Sequence, residues 1–194
     1  ARTGGRTSAR RLFVAAMVVV TIGQSGAFAA AAGEQPSEQV TVHEDQGSYR
    51  VEARFSVPQP AAAALAVLKD YEQIPKFLPD VRRSTVLERT DGQAVVEQEA
   101  NPRFMMFSRR VHLVLEVVEE PSAIRFRDRC GKSFSQYEGS WQVREERNGA
   151  TITYQLSAKP SFAVPEFVLK RLLKRDAVQM IARLRGAIAA RSTT

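Results

Sequence analysis

The chain has 194 residues, of which 44% are hydrophobic and 25% charged, with a formal net charge of +7. That length and balance describe one globular domain with short extras. The single cysteine, Cys130, excludes an internal disulfide framework and any cysteine-based zinc cluster, so the core must hold the fold alone.

Arg2, Arg6, Arg10 and Arg11 precede an uncharged apolar run from Leu12 to Ile22, and Ala27-Phe28-Ala29 matches an A-x-A cleavage site. The pattern predicts a secretory signal over residues 1–30, too short for a comfortable membrane span. Arg10-Arg11-Leu12-Phe13-Val14 also fits a twin-arginine export motif, and retention as an N-terminal anchor is the alternative to cleavage. The expected location is therefore periplasmic or secreted, with residues 31–39 a polar linker and residues 40–194 the folded domain. Without the four leader arginines, 24 basic residues face 21 acidic ones, or +3. Residues 164–191 alone carry seven Lys and Arg against Glu166 and Asp176, or +5, so the basic character is local to the end of the chain. No basic patch interleaved with aromatics is visible, and no nucleic-acid partner is expected.

Val40 to His43 alternates as a short strand, and Glu44 to Ser48 turns it. Tyr49 to Val57 sends Val51, Ala53, Phe55 and Val57 one way and Arg50, Glu52 and Arg54 the other, the period of a strand with one buried face. Pro58 and Pro60 end it, and Pro60 opens an alanine-rich helix. Residues 72–79, EQIPKFLP, support only a second small helix. Strands are then predicted at Val81 to Arg89 and Gln93 to Ala100 about the Asp91-Gly92 turn, through a long Phe104 to Glu119, at Ala123 to Cys130, at Phe134 to Arg147, and at Thr151 to Lys159 after the Asn148-Gly149 turn. Last comes the longest helical pattern, Pro165 to Ala190. Leu169, Leu173, Ala177, Met180, Leu184 and Ile188 share one stripe, while Lys170, Arg171, Lys174, Arg175, Arg183 and Arg185 fall mostly off it. Hairpins throughout and one apolar face per strand predict an α+β domain: an antiparallel sheet of about seven strands, its packed face covered by the final helix and two short helices capping one end.

This order of elements resembles the START-like, helix-grip (SRPBCC) superfamily, and within it the polyketide cyclase/dehydrase and coenzyme Q-binding branch. The resemblance runs from Val51 to Ala190. It is carried by Val67-Leu68-Lys69-Asp70-Tyr71-Glu72 with Ile74-Pro75-Lys76-Phe77-Leu78-Pro79, by Gly139-Ser140-Trp141, and by Val164-Pro165 at the start of the grip helix. It implies an elongated apolar cavity between sheet and helix that takes lipids, isoprenoid quinones or polyketides. Most such proteins bind or carry, and some catalyse. Quinone-binding members are usually intracellular, so an export signal departs from that pattern.

Two segments are unusually apolar for the ends of elements: Phe77-Leu78-Pro79 and Asn101 to Phe107, which includes Phe104, Met105 and Met106. Methionines among phenylalanines make a surface that repacks around varied ligands. Phe126, Tyr137, Trp141 and Tyr154 alternate onto inward strand faces, and Leu169, Leu173 and Met180 would floor a cavity. Each of these residues serves equally as plain core. Of the two histidines, His112 falls in the outward register and His43 at a strand end; neither has a nucleophile at motif spacing. Asp70 with Glu72 reads as a solvated helix end, Cys130 as a buried structural thiol, and Arg109-Arg110 puts one arginine on each strand face. No catalytic residue, metal site or cofactor is assigned. The expected function is an exported binding or carrier protein for a hydrophobic small molecule or lipid. A polyketide aromatase/cyclase and a membrane-surface module, touching the bilayer through the basic final helix, are the alternatives.

Overall fold

The structure, a computed structural model, describes residues 38–191 apart from 79, 105, 106 and 109; over 103–108 it describes backbone only. The expected leader and most of the expected linker lie outside the described residues.

Ten strands and three α-helices follow one another: β1 (Gln39–Asp45), β2 (Ser48–Val57), α1 (Ala61–Leu68), a 3-10 turn at Tyr71–Gln73, α2 (Ile74–Phe77), β3 (Val81–Thr90), β4 (Gln93–Ala100), β5 (Arg103–Phe104), β6 (Phe107–Ser108), β7 (Val111–Glu119), β8 (Ala123–Asp128), β9 (Phe134–Glu146), β10 (Gly149–Pro160) and α3 (Glu166–Arg191). Eight strands form one antiparallel sheet in the order β1-β2-β10-β9-β8-β7-β4-β3. This is the helix-grip arrangement. The sheet has eight strands rather than about seven because the short alternating segment at the start pairs fully with β2, from Gln39 opposite Arg54 to Asp45 opposite Ser48.

The long strand expected from Phe104 to Glu119 is broken. β5 and β6 pair only with each other, as a two-residue ribbon, and the sheet strand begins at Val111. β8 ends at Asp128, two residues before Cys130, because the Asp128 carboxylate folds over the chain. Its Oδ1 accepts from the Val114 and Cys130 amides and its Oδ2 from the Gly131 amide.

Sheet curvature follows from where the large residues point. Val51, Phe55, Val96, Leu113, Leu115, Ile124, Val143, Ile152 and Leu156 are buried on the concave face, while the alternating polar residues meet solvent. α3, about 39 Å long at 1.5 Å per residue, lies in that concavity. Val168 and Ile181 are buried in addition to the expected stripe, so its apolar face is wider than the sequence periodicity suggests. The helix begins at Glu166, one residue later than expected, with Pro165 just before it and the Pro165 carbonyl accepting from the Val168 and Leu169 amides.

The basic residues of α3 are largely engaged within the fold. Arg175 contacts Asp80 and Asp176, Arg183 the Lys76 carbonyl, Arg185 Glu38, and Arg191 Asp70 and the Ala66 carbonyl. Asp70 is thus an anchor for the end of α3 rather than a solvated helix terminus. Arg185 in particular is half-buried, with its guanidinium over the Phe55 ring at 5.5 Å.

Candidate ligand-binding site

Between the concave face and α3 the core does not close. A cavity of about 380 Å³ remains, with a smaller lobe of about 80 Å³ behind it. Both lobes are built from alternate residues of the strands and from one side of α3. In the larger lobe, β7 supplies Val111 and Leu113, β10 supplies Leu156 and Ala158, and α3 supplies Leu169, Leu172, Leu173 and Ala177. In the smaller lobe, α1 and α2 supply Leu68 and Phe77, and the sheet supplies Leu115, Ile124, Phe126 and Trp141. Leu78, Gln98, Tyr137, Tyr154 and Met180 line both, and so stand at the junction. The partly exposed Pro102, Phe162 and Leu172 lie toward solvent in the larger lobe. A few hundred Å³ with mainly apolar walls is the size and character of a small-ligand site.

Aromatic rings form one side of this space. Trp141 packs on Tyr154 with centroids 4.3 Å apart; Phe126 lies 6.5 Å from Tyr154 and 6.1 Å from Tyr137; Phe134 continues at 5.0 Å from Tyr137 and 6.2 Å from Phe162. The ring of Phe126 runs directly across Gly139, its partner in the ladder. A Cβ on Gly139 would lie 2.6 Å from Phe126 Cζ and would also meet the Gln155 carbonyl. The glycine of the G-x-W segment is therefore the seat of an aromatic wall residue.

Of the residues expected to contact a ligand, Leu78, Tyr137, Tyr154 and Met180 line both lobes, Leu169 and Leu173 the larger one, and Phe77, Phe126 and Trp141 the smaller one. Phe104 is in β5, where only backbone is described, and Met106 lies outside the described residues. Arg110 is exposed and Arg109 lies outside the described residues.

Gln98, Asp80 and Asp176 were not foreseen. Gln98 is 7% exposed and points inward from β4, in the register of Ala94 and Val96. Asp176 faces the larger lobe from α3, and Asp80 stands at its side. Arg175 bridges these two acids at 2.9 Å and 2.8 Å. Burial pushes the Asp176 carboxyl up to about 6, with Asp80 adding to the rise, against the pull of Arg175. Burial likewise pushes the Tyr137 hydroxyl up to about 12 and Tyr154 well above its ordinary range, so both remain protonated donors. Helical spacing carried the signal for Asp176, which falls three residues after Leu173 and four before Met180.

Tyr71 closes the smaller lobe and is held there from outside. Its hydroxyl donates to Glu119 Oε1 at 2.8 Å, Arg89 reaches the same oxygen at 2.8 Å, and Lys69 lies 3.3 Å from Oε2. Burial raises the Glu119 pKa, but the hydrogen bonds from Tyr71, Arg89 and Lys69 outweigh it and hold the carboxyl below its ordinary range.

The remaining candidates sit elsewhere. His43 is exposed on β1. His112 points away from the cavity, as its register implies, but is half-buried rather than solvated, with Nε2 3.1 Å from Glu97 and Nδ1 3.8 Å from Cys130 Sγ. Cys130 is half-buried in a turn, not in the core. Among the described residues, no group of three His, Cys, Asp or Glu could hold a metal ion, and no helix is long and apolar enough to cross a membrane.

Residues 57–185 match the family described as polyketide cyclase/dehydrase and lipid transport. The chain belongs to this family. Solved structures with the same fold include a STAR-related lipid transfer protein from Xanthomonas axonopodis, at 18% identity and a TM-score of 0.59 over 77% of this chain and 98% of that one. A START superfamily protein from Mycobacterium smegmatis aligns at 16% identity with a TM-score of 0.62, over 73% of this chain and 97% of that one. The Zhui aromatase/cyclase from Streptomyces aligns at 14% identity with a TM-score of 0.60, over 75% and 94%. At these identities the likeness is one of fold. No curated protein matches the sequence. Membership of the polyketide cyclase/dehydrase and lipid transport family, with the cavity, places the chain among proteins that bind hydrophobic ligands.

Proposed function

We propose that this protein binds and carries an elongated apolar molecule, of lipid, isoprenoid or polyketide type, without transforming it. The supporting observation is the two-lobed cavity of about 380 Å³ and 80 Å³, walled by side chains of the sheet and α3. The ligand enters past the Leu78 end of α2 and the β5–β6 ribbon. Affinity comes from apolar area removed from water, at roughly 25 cal/mol per Å². The leader of residues 1–30 directs it out of the cytoplasm in this reading. Any contact with an anionic membrane runs through Arg171 and Lys174 beside Phe167, three residues on the exposed side of α3. Native mass spectrometry of the purified protein, with solvent extraction, tests the carrier. A co-purifying apolar compound is expected. Retention of none, with no apolar compound raising the melting temperature, would refute it.

One observation favours a second reading, an aromatase/cyclase. Asp176 is a cavity carboxyl whose pKa is pushed up to about 6, close to where a general acid or base works best. Turnover of a poly-β-ketone thioester to a cyclised product, lost in Asp176→Asn, would establish that reading over the carrier.

A further inference from the structure

Three polar side chains line both lobes where they join: Gln98 from β4 and Tyr154 from β10, which are buried, and Tyr137 from β9, which is partly buried. Gln98 is 7% exposed and Tyr154 8%. Among the described residues, none of the three has a hydrogen-bond partner for its side-chain amide or hydroxyl. Buried polar groups in folded proteins are nearly always paired. The polar atoms of these three open onto the cavity rather than into packed protein, so their partner is whatever fills that space. Together they offer two amide N–H, two O–H and three acceptor oxygens. None of these groups is charged, since both phenols remain protonated.

The surroundings narrow the chemistry. Apolar walls extend on both sides of the junction, toward Trp141 and Ile124 in one direction and toward Leu172 and Phe162 in the other. A polar atom held there must sit partway along an apolar body, not at its end. The charged cluster of the larger lobe is two acids on one base, Asp80 and Asp176 on Arg175. A ligand carboxylate in that lobe would meet net negative charge.

We propose that Gln98, Tyr137 and Tyr154 form a subsite for a neutral carbonyl or hydroxyl oxygen borne mid-length on an apolar ligand, and that Asp80 and Asp176 select against carboxylates. This rests on the reading of the cavity as a ligand site. Tridecan-7-one, tridecane and tridecanoic acid share one chain length and separate the terms. Titrated by calorimetry at pH 8 against the full chain, the ketone is expected to bind about tenfold more tightly than the alkane, the gain of roughly one hydrogen bond, and also more tightly than the acid. In Tyr137→Phe/Tyr154→Phe, which removes only two hydroxyls, and in Gln98→Leu, the preference for ketone over alkane should shrink toward unity while the alkane still binds. Equal binding of ketone and alkane to the unaltered protein overturns the subsite but leaves the carrier standing. Binding of none of the three overturns both. A ketone preference undiminished in the variants overturns the assignment to these residues, and an acid that binds as tightly as the ketone overturns the selection by Asp80 and Asp176.

Discussion

At the scale of single residues, two carboxyl groups carry opposite pH signatures. Asp176 holds its proton more tightly in the fold than in the unfolded chain, where its pKa is near 3.8. Its contribution to stability is therefore greatest below about pH 4, falls as the pH rises to about 6, and stays at the lower value above that. The stability difference between the unaltered protein and Asp176→Asn, read from urea midpoints, should move against the unaltered protein by about 1–3 kcal/mol between pH 4 and pH 7. A difference that does not change with pH would show the carboxyl to be ordinary. Glu119 runs the other way. Its lowered pKa means stability present above the ordinary glutamate range and lost as the pH falls through the folded value. Glu119→Ala leaves Tyr71 and Arg89 without their shared acceptor, and should cost about 2–4 kcal/mol at pH 7 and less once the pH has fallen through the folded value, by the same denaturation assay. Alternation made the inward aromatics Tyr137, Trp141 and Tyr154 legible from sequence. Gln98 and Asp176 were missed because a polar residue in an inward register reads as an exception to the pattern rather than as its content. The Glu119 cluster joins residues 69, 71, 89 and 119, which no local pattern connects.

Among elements, the turns were the most readable features, because their geometry is written in two or three adjacent residues. Asn148-Gly149 closes the β9–β10 hairpin, and Gly149 has φ 133°, in the range that favours glycine. The break between β6 and β7 was not readable, since the apolar residues from Phe104 onward fit a strand that continues as well as one that folds back. Nor was the role of the arginines of α3, whose partners lie about a hundred residues away in sequence. The seat of Phe126 on Gly139 gives a test of the packing between β8 and β9. Gly139→Ala should destabilise by about 1–3 kcal/mol, as overpacking of a filled site does. Truncating the ring in Phe126→Ala/Gly139→Ala should not restore full stability, because the Gln155 carbonyl still opposes the new methyl. Melting temperatures of the two variants decide it; full recovery in the double variant would mean that the backbone approach is looser than the structure shows.

For the molecule as a whole, the carrier reading makes the ligand part of the core. A compound present at a hundred times its dissociation constant stabilises the bound form by about 2.7 kcal/mol, which for a domain of this size raises the melting temperature by roughly 5–10 °C. Protein stripped by solvent and then reloaded should show that shift in calorimetry, and a melting temperature indifferent to loading would argue against an occupied interior. Leu156, Leu169 and Met180 are buried in the fold and also line the cavity. This double duty has an evolutionary consequence. On the proposed carrier reading, a substitution there changes ligand preference and thermal tolerance in one step, so a lineage adapting to a new ligand is constrained at these positions. Phe162 and Leu172, which line the cavity but are partly exposed, are freer to drift. Descendants of this scaffold should therefore diverge in specificity at such positions first, while the tightly packed walls stay recognisably the same.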